Sequence, residues 1–133
     1  MQHHHPALCA QCGAREFVAF QDETFPLGAG GSIDGLCGWR CSACAEVMLD
    51  AASHSRYAQA SDAAVREVRK AEQQLLLRVR KKLGLTQRQA AQITGGGHNA
   101  FSRYERGEAQ PMPAVVNLFK ILDKHPELLA EVR

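Results

Sequence analysis

The chain has 133 residues, 45% of them hydrophobic and 23% charged, with a formal net charge of +2 and five cysteines. That length holds one domain or two small ones, and no apolar run is long enough to cross a bilayer as a helix. The total charge points to no partner, but its distribution does: residues 1–74 carry 6 Lys/Arg against 9 Asp/Glu, and residues 75–133 carry 10 against 5. An acidic front and a basic back imply different partners, with nucleic acid the natural one for the back.

The start, Met1 to Pro6, is His-rich and lacks the apolar segment of a signal peptide, so a cytoplasmic location is expected. The His3–His4–His5 run reads as a tail, native or a remnant of cloning. Two tight pairs follow, Cys9-x-x-Cys12 and Cys41-x-x-Cys44. A C-x-x-C turn brings two thiolates to one point, and two such turns supply four soft ligands, the donor set of tetrahedral zinc with Zn–S distances of about 2.3 Å. Gly13 and Ala45 are small and leave room for backbone N–H groups near the sulfurs. The alternative, two disulfides, belongs to an oxidising compartment that nothing else in the chain indicates. One Zn²⁺ per chain is expected, and four protein ligands make it structural.

Between the knuckles, residues 16–20 read as a strand. Residues 22–26 and 28–31 read as loop, residues 35–40 as a returning strand, and residues 47–49 as a third short strand. This segment holds few large apolar side chains, so burial alone is not expected to hold it. Structural zinc contributes about 10–16 kcal/mol of apparent folding free energy in small finger peptides and can supply the deficit. Cys37 is a fifth cysteine, read as a partly buried apolar thiol, a swapped ligand or an oxidation-sensitive group.

Residues 52–74 lack Gly and Pro and favour helix, capped by Ser53 or Ser55. The two halves are expected to join within residues 61–74. Domains are assigned as 1–68, a metal-holding unit with its connecting helix, and 69–133, a helical unit. Leu75, Leu76, Val79, Leu83 and Leu85 mark a core helix stopped at Gly84. Thr86-Gln87-Arg88-Gln89 is a capping box opening a second helix with Ala90, Ala91 and Ile93 inward. Gly95-Gly96-Gly97 breaks it, and a third helix runs from about His98 to Glu105. Pro111 and Pro113 open a fourth, with Val115, Leu118, Phe119, Ile121 and Leu122 on its core face. Pro126 starts a short last helix.

A capped helix, a glycine turn and another short helix make a helix-turn-helix. The fold class is therefore α+β: a small zinc-ribbon-like β domain, then an all-α helix-turn-helix domain of Xre/Cro type. Asn99 and Arg103 share one face of the third helix, and these residue types bond adenine N6/N7 and guanine O6/N7 respectively. They are the expected base contacts. Thr86, Gln87, Ser102 and Arg106 are the expected phosphate contacts, and His98 is read either as a contact or as plain surface. Phe119, Leu122, Leu128 and Val132 form an apolar surplus that fits either the unit's own core or a dimer face.

The run from Gly95-Gly96-Gly97-His98-Asn99-Ala100-Phe101-Ser102-Arg103-Tyr104-Glu105-Arg106-Gly107, with Leu85-Thr86-Gln87 before it and residues 122–129 after it, closely resembles the MqsA antitoxins. So does the order of parts, paired knuckles ahead of an Xre-type helix-turn-helix. The resemblance implies an antitoxin of a type II toxin–antitoxin pair. In such a protein the zinc-holding domain neutralises an MqsR-type ribonuclease toxin, and the C-terminal domain dimerises on a palindromic operator and represses its own operon. It places the base-reading pair at Asn99 and Arg103. The alternative is a stand-alone regulator of the same architecture without a toxin. An enzyme is not expected: a hydrolytic zinc needs an open coordination position, and a redox C-x-x-C stands without a second pair.

Overall fold

The computed structural model describes residues 5–133. Of the histidine run only His5 falls within them. Three strands come first, β1 (Phe17–Pro26), β2 (Ser32–Cys41) and β3 (Val47–Leu49). Helices follow: α1 (Ala51–Lys82), α2 (Gln87–Thr94), α3 (Ala100–Glu105), α4 (Pro113–Lys124), a 3-10 turn (Pro126–Leu128) and α5 (Leu129–Val132). The chain divides into two compact units between Val65 and Arg66, inside α1.

In the first unit the strands lie in the order β1-β2-β3, both pairings antiparallel. The hairpin runs from Phe17 opposite Cys41 to Pro26 opposite Ser32. It is longer than the sequence implies, because residues 22–26, read as loop, form the distal half of β1. Register shifts flank Glu23, and Asp22 takes a left-handed φ of 55°. These are the marks of a β-bulge, which places turn-like residues inside a strand. Thr24 Oγ1 donates to Asp34 Oδ1 at 2.7 Å across the pair, and Pro26 is tolerated because β1 is an edge strand. Gly38 is required by close approach: a Cβ there would lie 2.2 Å from the Met48 carbonyl oxygen on β3. Phe20 and Leu36 are buried, Arg40 stacks over the Phe20 ring at 5.0 Å, and its guanidinium grips Glu23 with two hydrogen bonds.

Helix α1 is one continuous 32-residue helix, where the sequence suggested a second helix start at Leu75; the boundary between the units falls within it, inside residues 61–74 as expected. No Gly or Pro interrupts residues 51–82, so nothing breaks the backbone ladder over about 48 Å. Neither Ser53 nor Ser55 is its cap. Asp50 Oδ1 accepts from the Ser53 N–H at 2.7 Å, while the buried Ser53 hydroxyl accepts from the Cys37 N–H at 2.8 Å. Further along, Arg56 donates to the carbonyls of Gly35 and Asp34 at 2.8 and 2.9 Å. Through these bonds the first turns of α1 belong to the β unit.

The second unit closes on Leu76, Val79, Leu85, Ala90, Ala91, Ala100, Phe101, Val115, Phe119 and Leu122, with the Phe101 and Phe119 rings 5.2 Å apart. Each fully buried large apolar side chain contributes roughly 1.5–3 kcal/mol. The capping box at Thr86 forms in full. On α4, Val116 joins the buried set, whereas Ile121, expected inward, is 49% exposed. Phe119 and Leu122, counted toward a dimer face, are buried in the chain's own core; Leu128 and Val132 remain exposed at 39% and 38%. Core demand inside so small a helical unit takes the two positions that face α1, α2 and α3.

Asp123 ties α4 to α1, accepting from Arg78 at 2.9 and 3.0 Å and from Lys82 at 3.0 Å. The Arg78 guanidinium, with Lys82 second, holds the Asp123 carboxyl down at about 2. A carboxyl depressed by folding stabilises above its unfolded value near 4, and that stabilisation is lost as pH falls through about 2. Thermal unfolding of the chain and of Asp123→Asn, followed through the helical signal, should therefore differ at pH 5. The difference should shrink steadily toward pH 2; a gap independent of pH would mean that the ion pairs do not carry it.

Candidate metal centre and nucleic-acid interface

The two knuckles are built alike. The Cys9 N–H donates to Ala14 O at 2.8 Å and its carbonyl accepts from the Gly13 N–H at 2.9 Å; Cys41 repeats the pattern with Glu46 and Ala45 at 2.8 and 3.0 Å. Both closing residues take a left-handed backbone, Gly13 at φ 76° and Ala45 at φ 63°. Gly13 adopts this backbone without strain, whereas Ala45, which carries a Cβ, does so at a cost of about 1–2 kcal/mol. The Ser42 N–H bonds Glu16 O at 3.0 Å and links the knuckles.

Four sulfurs converge as a result. Cys9 Sγ lies 3.6 Å from Cys44 Sγ, Cys12 Sγ lies 3.6 Å from Cys41 Sγ, and all four fall within 4.8 Å of one another. A disulfide requires about 2.0 Å, so the pairs are not bridged. A tetrahedron with 2.3 Å arms has edges of about 3.8 Å, which these separations approach. The residues thus fit a metal ion, and Cys37 takes no part in the cluster. The N–H groups of Cys44 and Ala43 aim at the Cys41 sulfur and lower its pKa to about 7. At Cys44 the Glu46 N–H pulls the same way, but desolvation and the crowd of neighbouring thiols outweigh it and push the group up to about 12. Packed thiols of this kind cannot all ionise unaided; a bound cation removes the conflict.

In the helical unit, α2 and α3 are joined through Gly95, Gly96 and Gly97, all with positive φ. Asn99 is the N-cap residue of α3, and the Arg103 N–H bonds its carbonyl at 3.1 Å, so both side chains leave the same face. Both are exposed. The Thr86 hydroxyl accepts from the Gln89 N–H at 3.1 Å. Arg106 pairs with Glu108 at 3.1 Å, with both side chains more than half exposed, and its Nε donates to Ser102 O at 3.3 Å. An exposed pair of this kind holds about 0–1 kcal/mol and yields readily to a phosphate.

Gln87 stands differently from the other expected phosphate contacts: its side-chain amide donates to Glu105. Glu105 is the residue the sequence reading overlooked. Its side chain is only 7% exposed and is gripped by Arg80, itself 13% exposed. Arg80 also donates to Leu85 O at 2.8 Å, and Gln73 Nε2 donates to Glu105 O at 2.6 Å. One carboxylate therefore sets α3 against both α1 and α2. Its partner lies 25 residues upstream, and no local pattern in the sequence marks the pairing. Removing one partner of a buried ion pair costs about 3–5 kcal/mol. Glu105→Ala should lower the stability of the helical unit by that order in denaturant unfolding, and Glu105→Gln by less; unchanged midpoints would remove Glu105 from this role.

Among the described residues no helix is long and apolar enough to cross a membrane. Residues 7–133 match the family model described as the antitoxin component of bacterial toxin-antitoxin system, MqsA. Antitoxin MqsA of Escherichia coli (strain K12) is 60% identical over 60 residues, 45% of this chain and 46% of that protein, so the match spans about half the length of the relative. The family match takes in both cysteine knuckles, the sheet and the helix pair, and the chain belongs to the MqsA antitoxin family.

Proposed function

We propose that this chain is a zinc-dependent antitoxin and autorepressor. Its first part, about residues 1–68, binds and neutralises an MqsR-like ribonuclease toxin. Its second, about residues 69–133, binds a palindromic operator in its own promoter as a dimer. The observation that carries the reading is the joining, in one family member, of a four-sulfur cluster to a helix pair with Asn99 and Arg103 unengaged on its outer face.

Zinc is the ion that four thiolates at this spacing suit best, and its place is structural because the protein fills every position. Cys9, Cys12, Cys41 and Cys44 hold it and fix the hairpin that faces the toxin. Acidic residues outnumber basic ones in that part of the chain, which favours a basic partner. In the major groove Asn99 and Arg103 read bases, each good bidentate contact being worth about 1–3 kcal/mol of discrimination. Thr86, Ser102 and Arg106 hold phosphates, joined by Gln87 where its bond to Glu105 opens. Dimerisation uses the exposed Leu128 and Val132, with Ile121 beside them in sequence; Phe119 and Leu122 support it from the core. The chain acts by binding, with no catalytic step.

Chelation under reducing conditions should release one zinc per chain and disperse the NMR signals of residues 5–50 into an unfolded pattern, while the helical signals persist; an unchanged β spectrum would exclude a structural ion. Asn99→Ala and Arg103→Ala should each weaken operator binding by about 1–3 kcal/mol and relax base preference. Co-expressed with the product of the adjacent gene, residues 1–74 should retain that protein and residues 75–133 should not. Failure to retain any toxin, with operator binding intact, would leave a regulator without a toxin.

A further inference from the structure

One side of α1 carries Arg66, Arg69, Lys70, Gln73 and Arg80 at helical spacings of three and four, or small multiples of them. Its lower end is fixed: Gln73 and Arg80 hold the backbone and the carboxylate of Glu105, at the C-terminal end of α3. Its upper end is a row of three exposed cations. These cations line one wall of a groove of about 450 Å³ whose other wall is Tyr104, Gly107 and Gln110, the end of α3 and the loop beyond it.

The other cations of α1 in this unit contrast with these three. Arg78 and Lys82 are paired with Asp123, and Arg80 with Glu105; only Lys81 is likewise unpaired. Among the described residues, Arg66, Arg69 and Lys70 have no ion-pair partner. The groove also holds Glu72 and Glu108. Glu108 is already matched by Arg106, and one Glu72 carboxylate oxygen is buried away from solvent. Three long cationic side chains therefore face solvent beside the loop that follows the base-reading helix. Arg106, a phosphate contact on the reading above, is the C-cap of α3 and directly precedes Gly107 in the groove wall. A surface of unpaired cations beside the end of a duplex-binding helix is an arrangement that can neutralise backbone phosphates.

We propose that Arg66, Arg69 and Lys70 form a phosphate-gripping ridge that holds the DNA backbone beside each half-site. The inference rests on the assignment of α2 and α3 as the DNA-reading pair and adds a sequence-independent component to it. Base identity is left to Asn99 and Arg103; the ridge supplies affinity and fixes register.

The test uses the full chain and two duplexes, one carrying the DNA upstream of its own coding sequence and one of scrambled sequence. Binding is measured across a series of salt concentrations. Each phosphate contact contributes about 0.9 to the slope of log affinity against log salt. The combined Arg66→Gln, Arg69→Gln, Lys70→Gln variant should flatten the slope by about 5, three contacts from each protomer of the bound dimer, and weaken both duplexes by the same factor. A second variant, Lys120→Gln, Lys124→Gln, Arg133→Gln, removes the same charge elsewhere and should leave the slope nearly unchanged. An unaltered slope in the ridge variant overturns the proposal. So does an equal loss in the second variant, which would reduce the effect to net charge, and so does a loss confined to the upstream duplex, which would make the ridge a reader of sequence. Wild-type chain that binds neither duplex at any salt would instead remove the DNA-reading assignment, and the ridge with it.

Discussion

The β unit buries Phe20, Leu36, Cys9 and Cys41 deeply and has few other large side chains to enclose. Against the ordering entropy of a hairpin with two ten-residue strands and its knuckles, such a core is thin. What fixes this unit is the meeting of four sulfurs within 4.8 Å, which requires both knuckles, the full length of β1 against β2, and a left-handed residue closing each turn. Cys41 sits at the end of β2 and Phe17 opposite it at the start of β1, so the cluster also sets the register of the hairpin. Without a cation the same convergence is unfavourable, because neighbouring thiols oppose one another's ionisation.

The helical unit depends on a different device. Its apolar core fixes which faces of α1, α2, α3 and α4 meet, but a hydrophobic core is tolerant of small rotations. Glu105 supplies direction. Its carboxylate is held by Arg80 of α1 and Gln87 of α2, and its carbonyl by Gln73. On the proposed reading, base-edge recognition requires angular precision in α3, and a buried charge network with defined partners confers more of it than aliphatic contacts do. Asn99 and Arg103, the proposed base contacts, ride on a helix whose setting depends on residues away from their exposed face.

Helix α1 serves both units with different ends and different chemistry. Near its start the Ser53 hydroxyl and Arg56 bond the sheet, and near its end Leu76 and Val79 enter the helical core while Arg78 and Lys82 bind Asp123. Between them lies a stretch with few buried positions and several cations, the part of the chain with least to do for either fold. Charge there is unconstrained by packing, and three cations, Arg66, Arg69 and Lys70, fall within five residues of one another.

The two cysteine knuckles, the third strand, the capping box, the glycine break and the helical character of the C-terminal half were all legible from residue type and spacing, because each rests on contacts between near neighbours in the chain. Residue order alone misplaced the distal half of β1, since a bulge hides turn-like residues within a strand. It started a separate core helix at Leu75 where α1 runs on unbroken, and it chose serines as caps where Asp50 serves. It could not tell Phe119 and Leu122, which are enclosed, from Ile121, which faces solvent, because all of them are apolar on one short helix. It gave no hint of Glu105, whose role exists only when Arg80, 25 residues away, is folded against it. Local chemistry and spacing determine knuckles, caps and breaks; which side of an element is buried, and which distant charge answers a carboxylate, depend on three-dimensional proximity that only the folded chain creates.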